Sequence, residues 1–199
     1  DADKINEAYK EAVDVMVGIG VIDGISDTIF DAQGNFTREQ AAKIIAYLKL
    51  GTDAEKLTAT SAPFTDVPAN SWSAGYIAYC VDQGIIDGRG DGTFDPYAKL
   101  TDTDFAKMLL CAVGYGVNDE YTGNLWYVKV QADARTYGVF DNSLAASFTD
   151  AATREECVLY AFNTLTLNIV KYVELLNAYD AVKDANNKVK TLADNFELK

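Results

Sequence analysis

The chain of 199 residues contains no histidine. Histidine is the most frequent general base in enzymes and a frequent metal ligand, and it is the side chain that changes charge near neutral pH. A hydrolytic triad, a zinc site and a histidine-based pH switch are therefore hard to build from these residues. We expect no catalytic residue, no metal site and no cofactor.

Cysteine is scarce as well. The three cysteines lie far apart in the sequence, form no C-x-x-C pair, and each falls in an apolar stretch. That pattern predicts neither a metal knuckle nor a redox motif, and the odd number argues against a disulfide framework. We expect Cys80, Cys111 and Cys157 to be buried structural thiols.

The chain also lacks long apolar runs and an excess of positive charge. No stretch of about 18 apolar residues is present to span a bilayer. The formal charge of −13, from 17 basic and 30 acidic side chains, repels a phosphate backbone. We therefore expect no nucleic-acid partner and no membrane insertion, whereas the 49% hydrophobic content is sufficient for a globular core.

The sequence repeats itself. The pentapeptide GVIDG at Gly20–Gly24 recurs as GIIDG at Gly84–Gly88, and FTREQAAKII, which starts at Phe36, aligns with LTDTDFAKML at the same spacing. A weaker third copy places Trp126 opposite Trp72 and carries a second Thr-Arg-Glu, which begins at Thr153. A repeat of this length predicts a tandem array of one structural unit.

Each copy has the pattern of two helices joined by a glycine turn. Thr37 with Gln40, and the Thr-Arg-Glu-Glu segment at Thr153, fit the capping box that opens a helix, and Thr101 with Asp104 is a weaker version. Apolar residues then follow at helical spacing. The predicted units are repeat 1 at 1–53, repeat 2 at 60–116 and repeat 3 at 120–166, followed by a connector or next region at 167–199. Helical spacing in that last segment at Val173, Leu176 and Tyr179 predicts a further helix.

The stretch 64–116 resembles a complete S-layer homology (SLH) motif. It contains Phe-x-Asp-Val, a tryptophan eight residues after Phe64, the Gly-Ile-Ile-x-Gly turn, Asp-Gly-Thr-Phe-x-Pro and a threonine-led second helix, in the order of the family. The resemblance implies an all-α fold in which three helix-loop-helix repeats pack as a pseudo-threefold spindle around a central helical bundle, with a C-terminal extension. It also implies an extracellular protein of the bacterial cell surface that binds secondary cell-wall polysaccharide, often pyruvylated, with other S-layer subunits as a second class of partner.

The resemblance also implies which residues bind the polymer. The arginines of the two Thr-Arg-Glu segments correspond to the family's main ligand contact, and the tryptophan and glycine-turn regions help to line the groove. The candidate ligand-binding residues are Arg38, Arg154, Trp72, Trp126, Thr37, Thr153, Gly84 and Gly88. An arginine in the first turn of a helix suits a carboxylate, because its planar fork adds to the free N–H groups there. Repeat 2 departs from the pattern, since Asp102 occupies the arginine position and would repel a carboxylate.

Other interpretations remain open at this point. The Thr-Arg-Glu segments can be capping boxes alone, the tryptophans can be core residues, and the glycines can simply end helices. The loop with Asp87, Asp91 and Asp95 imitates half of a calcium site, but Arg89 and Ala98 stand at ligand positions. The main alternative function is a structural or protein-interaction module whose degenerate repeats no longer bind the polymer.

Overall fold

Helices dominate the architecture, in agreement with the periodicity of the sequence. The computed structural model describes residues 1–26 and 28–196. Asp27 of predicted repeat 1 and residues 197–199 of the predicted connector lie outside that description. The helices are α1 (Lys10–Gly18), α2 (Arg38–Leu50), α3 (Ala74–Asp82), α4 (Asp102–Ala112), α5 (Trp126–Thr136) and α6 (Arg154–Thr164). Within the described ranges, no helix has the length and apolar character needed to cross a membrane.

All three predicted capping boxes form. Thr37, Thr101 and Thr153 precede α2, α4 and α6, and each hydroxyl accepts a hydrogen bond from the backbone N–H three residues later. The side chain at that later position accepts the threonine N–H in return, at 3.1, 3.0 and 2.9 Å respectively. These bonds satisfy N–H groups that the helix itself leaves free, and so fix where each helix begins.

The helices of different repeats pack on one another in a cyclic order. Helix α2 packs on α3, α4 on α5, and α6 on α1, while α4 also contacts both α2 and α6. The second helix of each predicted repeat is buried over most of its surface. Phe36, two residues before α2, packs edge to face on Phe105 of α4, with the ring centroids 5.4 Å apart. A single apolar cluster therefore serves all three repeats.

A ring of backbone hydrogen bonds closes this arrangement. The N–H of Phe36 donates to the carbonyl of Ala152 at 3.2 Å, the N–H of Ala152 to the carbonyl of Leu100 at 2.9 Å, and the N–H of Leu100 to the carbonyl of Phe36 at 3.0 Å. Each of the three residues directly precedes a capping threonine. The starts of α2, α4 and α6 are thereby held together.

The segment after α6 corrects the sequence prediction. Instead of the helix expected around Val173, Leu176 and Tyr179, strand β1 (Val170–Val173) pairs antiparallel with β2 (Ala178–Ala181). Over so few residues, the spacing of the apolar side chains in this segment cannot distinguish the alternation of a strand from the period of a helix. The protein is therefore mostly helical rather than all-α.

This extension packs against the C-terminal ends of two buried helices. The Nδ2 atom of Asn195 donates to the carbonyls of Leu48 at 2.9 Å and Lys49 at 3.0 Å, which end α2. The N–H of Val170 donates to the carbonyl of Val113, just beyond α4, at 2.8 Å. Last-turn carbonyls have no partner within a helix, so the extension caps α2 and closes the end of α4.

Candidate functional site

Two surface grooves have walls built from the same positions of different repeats. Groove 1 is a cleft of about 430 Å³ and groove 2 is a smaller one of about 150 Å³. Most lining residues of groove 2 lie 64 positions after a lining residue of groove 1, as Asp87 does after Asp23. The internal repeat of the sequence is therefore also a repeat of surface sites.

Each groove takes residues from all three predicted repeats. In groove 1 the glycine turn and α2 of repeat 1 supply Asp23 and Lys43, repeat 2 supplies Trp72, and repeat 3 supplies Arg154. In groove 2 the corresponding residues are Asp87, Lys107, Trp126 and Arg38. The structure thus brings together one predicted arginine and one predicted tryptophan in each groove, although they are distant in sequence.

The guanidinium of Arg154 bridges two backbone carbonyls of repeat 1. Its Nε donates to the carbonyl of Phe30 and its Nη2 to that of Asp23, both at 2.9 Å. The guanidinium carbon also lies 5.2 Å from the centroid of the Phe30 ring. Arg154 therefore fastens α6 to the turn that forms the wall of groove 1.

Arg38 repeats this geometry in groove 2. Its Nε donates to the carbonyl of Phe94 at 2.9 Å and its Nη2 to that of Asp87 at 2.7 Å. Both arginines are buried, with 8% of Arg38 and 4% of Arg154 exposed, and burial lowers the pKa of each. Arginine nevertheless stays charged in proteins, and neither forms a salt bridge within the described residues. Each groove therefore contains a buried positive charge held by neutral carbonyls.

Two lysines in the grooves were not selected by the sequence analysis. Lys43 forms a salt bridge with Asp23 at 3.0 Å, whereas the Nζ of Lys107 lies 5.1 Å from the centroid of the Trp126 ring. Both lysines occupy the same position of the aligned FTREQAAKII and LTDTDFAKML segments. The internal alignment of the two segments could have identified these lysines. Both lie at the same position of a helix that begins at a groove, so both are expected to face the groove.

The predicted tryptophans differ in exposure. Trp72 is 55% exposed, and its ring lies 6.4 Å from that of Tyr76. Trp126 is half-buried and packs against the apolar core. An exposed indole at the rim of a groove leaves one face for a ligand.

The remaining predicted residues do not line either groove. Thr37 and Thr153 use their hydroxyls in the capping boxes. Gly84 has φ of 66° and follows the end of α3, where a left-handed residue is needed. At Gly88 a Cβ would collide with the ring of Phe64 and lie 2.9 Å from the carbonyl of Thr93. A left-handed backbone at Gly84 and close packing at Gly88 therefore account for the two glycines.

The third junction, where α4 meets the turn of repeat 3, has lost the arginine. In its place Thr103 donates through Oγ1 to the carbonyl of Phe148 at 2.6 Å, and Asn163 donates through Nδ2 to that of Asp141 at 2.8 Å. These carbonyls lie 54 positions after those of Phe94 and Asp87, which Arg38 bridges in groove 2. Two neutral side chains thus do what one guanidinium does elsewhere.

Asp102 occupies the arginine position at this junction. Only 2% of it is exposed, and its Oδ1 has no hydrogen-bond partner among the described residues. Burial raises the pKa of this carboxyl to about 6, because a buried carboxylate loses the solvation that favours its charge. The third junction therefore has no buried arginine, although the guanidinium carbon of the exposed Arg135 lies 4.9 Å from the centroid of the Phe148 ring.

The calcium-like loop uses its carboxylates internally. Asp91 accepts hydrogen bonds from the N–H of Thr93 at 2.9 Å and from its hydroxyl at 2.6 Å. Asp95 pairs with Arg89 at 3.3 Å. Over residues 1–26 and 28–196, no three potential metal-ligating side chains of the His, Cys, Asp or Glu type converge.

Comparison with known proteins relates these repeats to bacterial surface proteins. The model of the family described as "S-layer homology domain" matches residues 1–42 and 63–101. The surface-layer 125 kDa protein of Lysinibacillus sphaericus is 35% identical over 98% of this chain and 17% of its own length. A cell surface protein of Thermoanaerobacter kivui is 27% identical over 86% of this chain and 22% of its own. A cellulosome-anchoring protein of Acetivibrio thermocellus is 35% identical over 43% of this chain and 19% of its own. The chain spans less than a quarter of the length of each relative.

Proposed function

Because residues 1–42 and 63–101 belong to the S-layer homology domain family, we propose that this chain anchors a bacterial surface protein by binding secondary cell-wall polysaccharide in grooves 1 and 2. It is a cell-surface protein, like its surface-layer relatives. Binding is reversible and involves no catalysis. The observation that carries the proposal is the matched pair of grooves, each with one arginine, one lysine and one tryptophan.

The proposal includes the arrangement of the three repeats as a pseudo-threefold spindle around α2, α4 and α6. The cyclic hydrogen bonds between Phe36, Leu100 and Ala152 support it. The cyclic packing of each second helix on a first helix of another repeat supports it as well. In such a spindle grooves 1 and 2 each form where two repeats meet, and each takes its arginine from the third repeat.

The chemistry of the grooves favours a sugar that carries a carboxylate. In each arginine the Nη1 atom has no hydrogen-bond partner within the described residues, because Nε and Nη2 already donate to carbonyls. A guanidinium preorganised in this way binds a carboxylate with little further loss of conformational freedom. A pyruvyl ketal on the polysaccharide supplies such a group, and the exposed indole of Trp72 packs against the apolar face of a sugar ring.

The net charge of the chain does not prevent this binding. At physiological ionic strength, screening acts over about 8 Å, so exposed carboxylates far from a groove contribute little. Asp23 and Asp87 lie in the grooves, but Lys43 neutralises Asp23 and Lys107 adds a cation beside Asp87. Two grooves acting on one polymer also raise the apparent affinity through effective concentration.

Sedimentation with purified cell-wall sacculi tests the proposal. Sacculi that retain the polysaccharide should pull down the protein, whereas sacculi stripped of it should not. Trp72→Ala and Trp126→Ala should each weaken binding, and the double variant should remove most of it. Tyr97→Ala is the matched control, because Tyr97 is an aromatic residue 76% exposed outside both grooves.

Comparison of intact polysaccharide with polysaccharide freed of its ketal groups tests the carboxylate. Lys43→Gln together with Lys107→Gln should weaken binding to the intact polymer and change binding to the ketal-free polymer little. Equal binding to both polymers would remove the carboxylate from the proposal and leave the sugar contacts.

The alternative is a structural or protein-interaction module that holds surface proteins, including S-layer subunits, without binding the polymer. The burial of both arginines, and of Asp102 at the third junction, favours it. A folded protein that fails to sediment with intact sacculi, and that behaves like its double tryptophan variant, would support this alternative.

A further inference from the structure

Groove 1 leaves more aromatic surface open than groove 2 does. It encloses about 430 Å³, within the range of about 300–1,000 Å³ that is usual for ligand sites, whereas groove 2 encloses about 150 Å³. Trp72 of groove 1 is 55% exposed. Trp126 of groove 2 is half-buried, and the Nζ of Lys107 lies over its ring, 5.1 Å from the centroid. The two grooves therefore differ in the size of the ligand that they accommodate.

A second aromatic residue follows Trp72 at the edge of groove 1. Tyr76 lies four residues later, near the start of α3, and is half-buried. The centroids of the two rings are 6.4 Å apart, which is comparable to the length of one pyranose residue in a polysaccharide. Tryptophan and tyrosine rings are large apolar surfaces that pack against the apolar faces of sugars. Two successive sugar residues of one chain therefore fit the two rings in turn.

Two residues of α2 hold the ring of Tyr76 in place. Tyr47 is buried, and its ring centroid lies 6.0 Å from that of Tyr76. The Nζ of Lys43 lies in turn 5.5 Å from the centroid of the Tyr47 ring. Lys43 and Trp72 both line groove 1, so the two tyrosines connect one groove residue to the other. A ring that is already fixed beside the groove loses little conformational freedom when a ligand binds.

Groove 2 has no counterpart of this tyrosine pair. The position of Tyr76 is taken in repeat 3 by Val130, which is fully buried, and the position of Tyr47 is taken in repeat 2 by Cys111. The groove 2 indole does contact Tyr127, but the two rings are perpendicular, at 88°. Tyr127 also follows that indole directly in the chain, so its side chain leaves the helix about 100° further round. The aromatic surface of groove 2 therefore ends at its tryptophan.

We propose that groove 1, unlike groove 2, has a second sugar subsite on Tyr76. This inference rests on the function proposed above, in which a pyruvylated sugar contacts Arg154 and Trp72. The next sugar residue of the polymer then packs on the ring of Tyr76. Groove 1 therefore binds a disaccharide more tightly than a monosaccharide, whereas groove 2 binds the two equally. Tyr76 determines the length of glycan that the protein recognises.

Titration calorimetry with two synthetic sugars tests the subsite. The probes are a methyl hexoside that carries a pyruvyl ketal, and the disaccharide that extends it by one hexose at the anomeric position. In a Trp126→Ala background, which leaves groove 1 as the binding site, the disaccharide should bind about fivefold more tightly, the effect expected of one aromatic packing contact. Adding Tyr76→Leu should lower the disaccharide affinity to that of the monosaccharide, because leucine keeps the apolar packing but removes the ring. Equal affinities before that substitution would overturn the subsite.

Tyr79→Leu is the matched control for Tyr76→Leu. Tyr79 is a half-buried tyrosine of the same helix that does not line groove 1, so its replacement should preserve the ratio of the two affinities. A ratio that survives Tyr76→Leu, or that is lost equally with Tyr79→Leu, would overturn the assignment to Tyr76 while leaving the proposed function intact. Binding of neither probe, together with no sedimentation on intact sacculi, would overturn the proposed function and the subsite with it.

Discussion

Replacing Arg154 by alanine should destabilise the protein even when no polysaccharide is present. The side chain is almost fully buried and its guanidinium connects α6 to the turn of repeat 1 through the carbonyls of Phe30 and Asp23. A residue that served only to bind the ligand could be removed from the free protein without such a loss. The stability of the unliganded variant therefore reports the structural part of its role.

The size of the loss can be worked out from these contacts. A hydrogen bond with a charged donor contributes about 1.5–3 kcal/mol, and a buried carbonyl left without a partner costs about 1–3 kcal/mol. The carbonyl of Asp23 can recover water at the surface, whereas that of Phe30 is bonded in a buried setting. Removing the buried charge returns part of the cost, so we expect a net loss of about 3 kcal/mol, or a melting temperature about 6–12 °C lower.

Urea unfolding followed by circular dichroism, in buffer free of polysaccharide, measures this loss. Arg89→Ala is the matched control, because the Arg89 side chain is 45% exposed and pairs with an exposed Asp95, and its loss should stay below about 0.5 kcal/mol. If Arg154→Ala unfolds within 0.5 kcal/mol of the unmodified protein, the structural role assigned to the guanidinium is wrong.

Two further substitutions probe other parts of the fold. Asp102→Asn should stabilise the protein by about 2 kcal/mol at pH 7.5 and by little at pH 4. The pKa of Asp102 is raised to about 6 in the folded protein, so the carboxylate costs stability only above that pH, where it is ionised. Urea unfolding at the two pH values measures this difference, and an equal gain at both would contradict it. Gly51→Ala should lower the melting temperature more than Gly84→Ala. Both glycines have positive φ, but a Cβ at Gly51 would also lie 2.6 Å from the carbonyl oxygen of Asn195, whereas one at Gly84 would contact no other residue. Equal losses of melting temperature would mean that the extension does not hold the end of α2.

Much of the fold could be predicted from local signals. The capping boxes at Thr37, Thr101 and Thr153 depend on residues three apart, so the sequence reveals them directly. The hydrogen-bond ring joins backbone atoms of residues between 52 and 116 positions apart, and backbone atoms carry no side-chain signature. The two strands of the extension were missed because Val173, Leu176 and Tyr179 recur every three residues, a spacing that also fits a helix.

The candidate site, too, could be predicted from the sequence only in part. The arginine and tryptophan positions were predicted through a family resemblance, and the grooves do unite Arg38 with Trp126 and Arg154 with Trp72. What remained hidden was the structural task of the arginines, because their partners are carbonyl oxygens that every residue possesses. Lys43 and Lys107 could have been found, since the internal alignment places them together.

In the proposed function, each arginine takes part in both ligand binding and folding. Nε and Nη2 of Arg154 hold the wall of groove 1 to α6. A ligand carboxylate that binds Nη1 would therefore bind a side chain that already joins repeat 3 to repeat 1. By mass action, a ligand that binds only the folded state raises its stability. The third junction separates the two tasks, because Thr103 and Asn163 hold its wall with neutral donors. Asp102, at the arginine position of this junction, therefore does not hold the wall. At this junction the fold is thus held without a buried arginine, because the side chains of Thr103 and Asn163 donate to the two carbonyls.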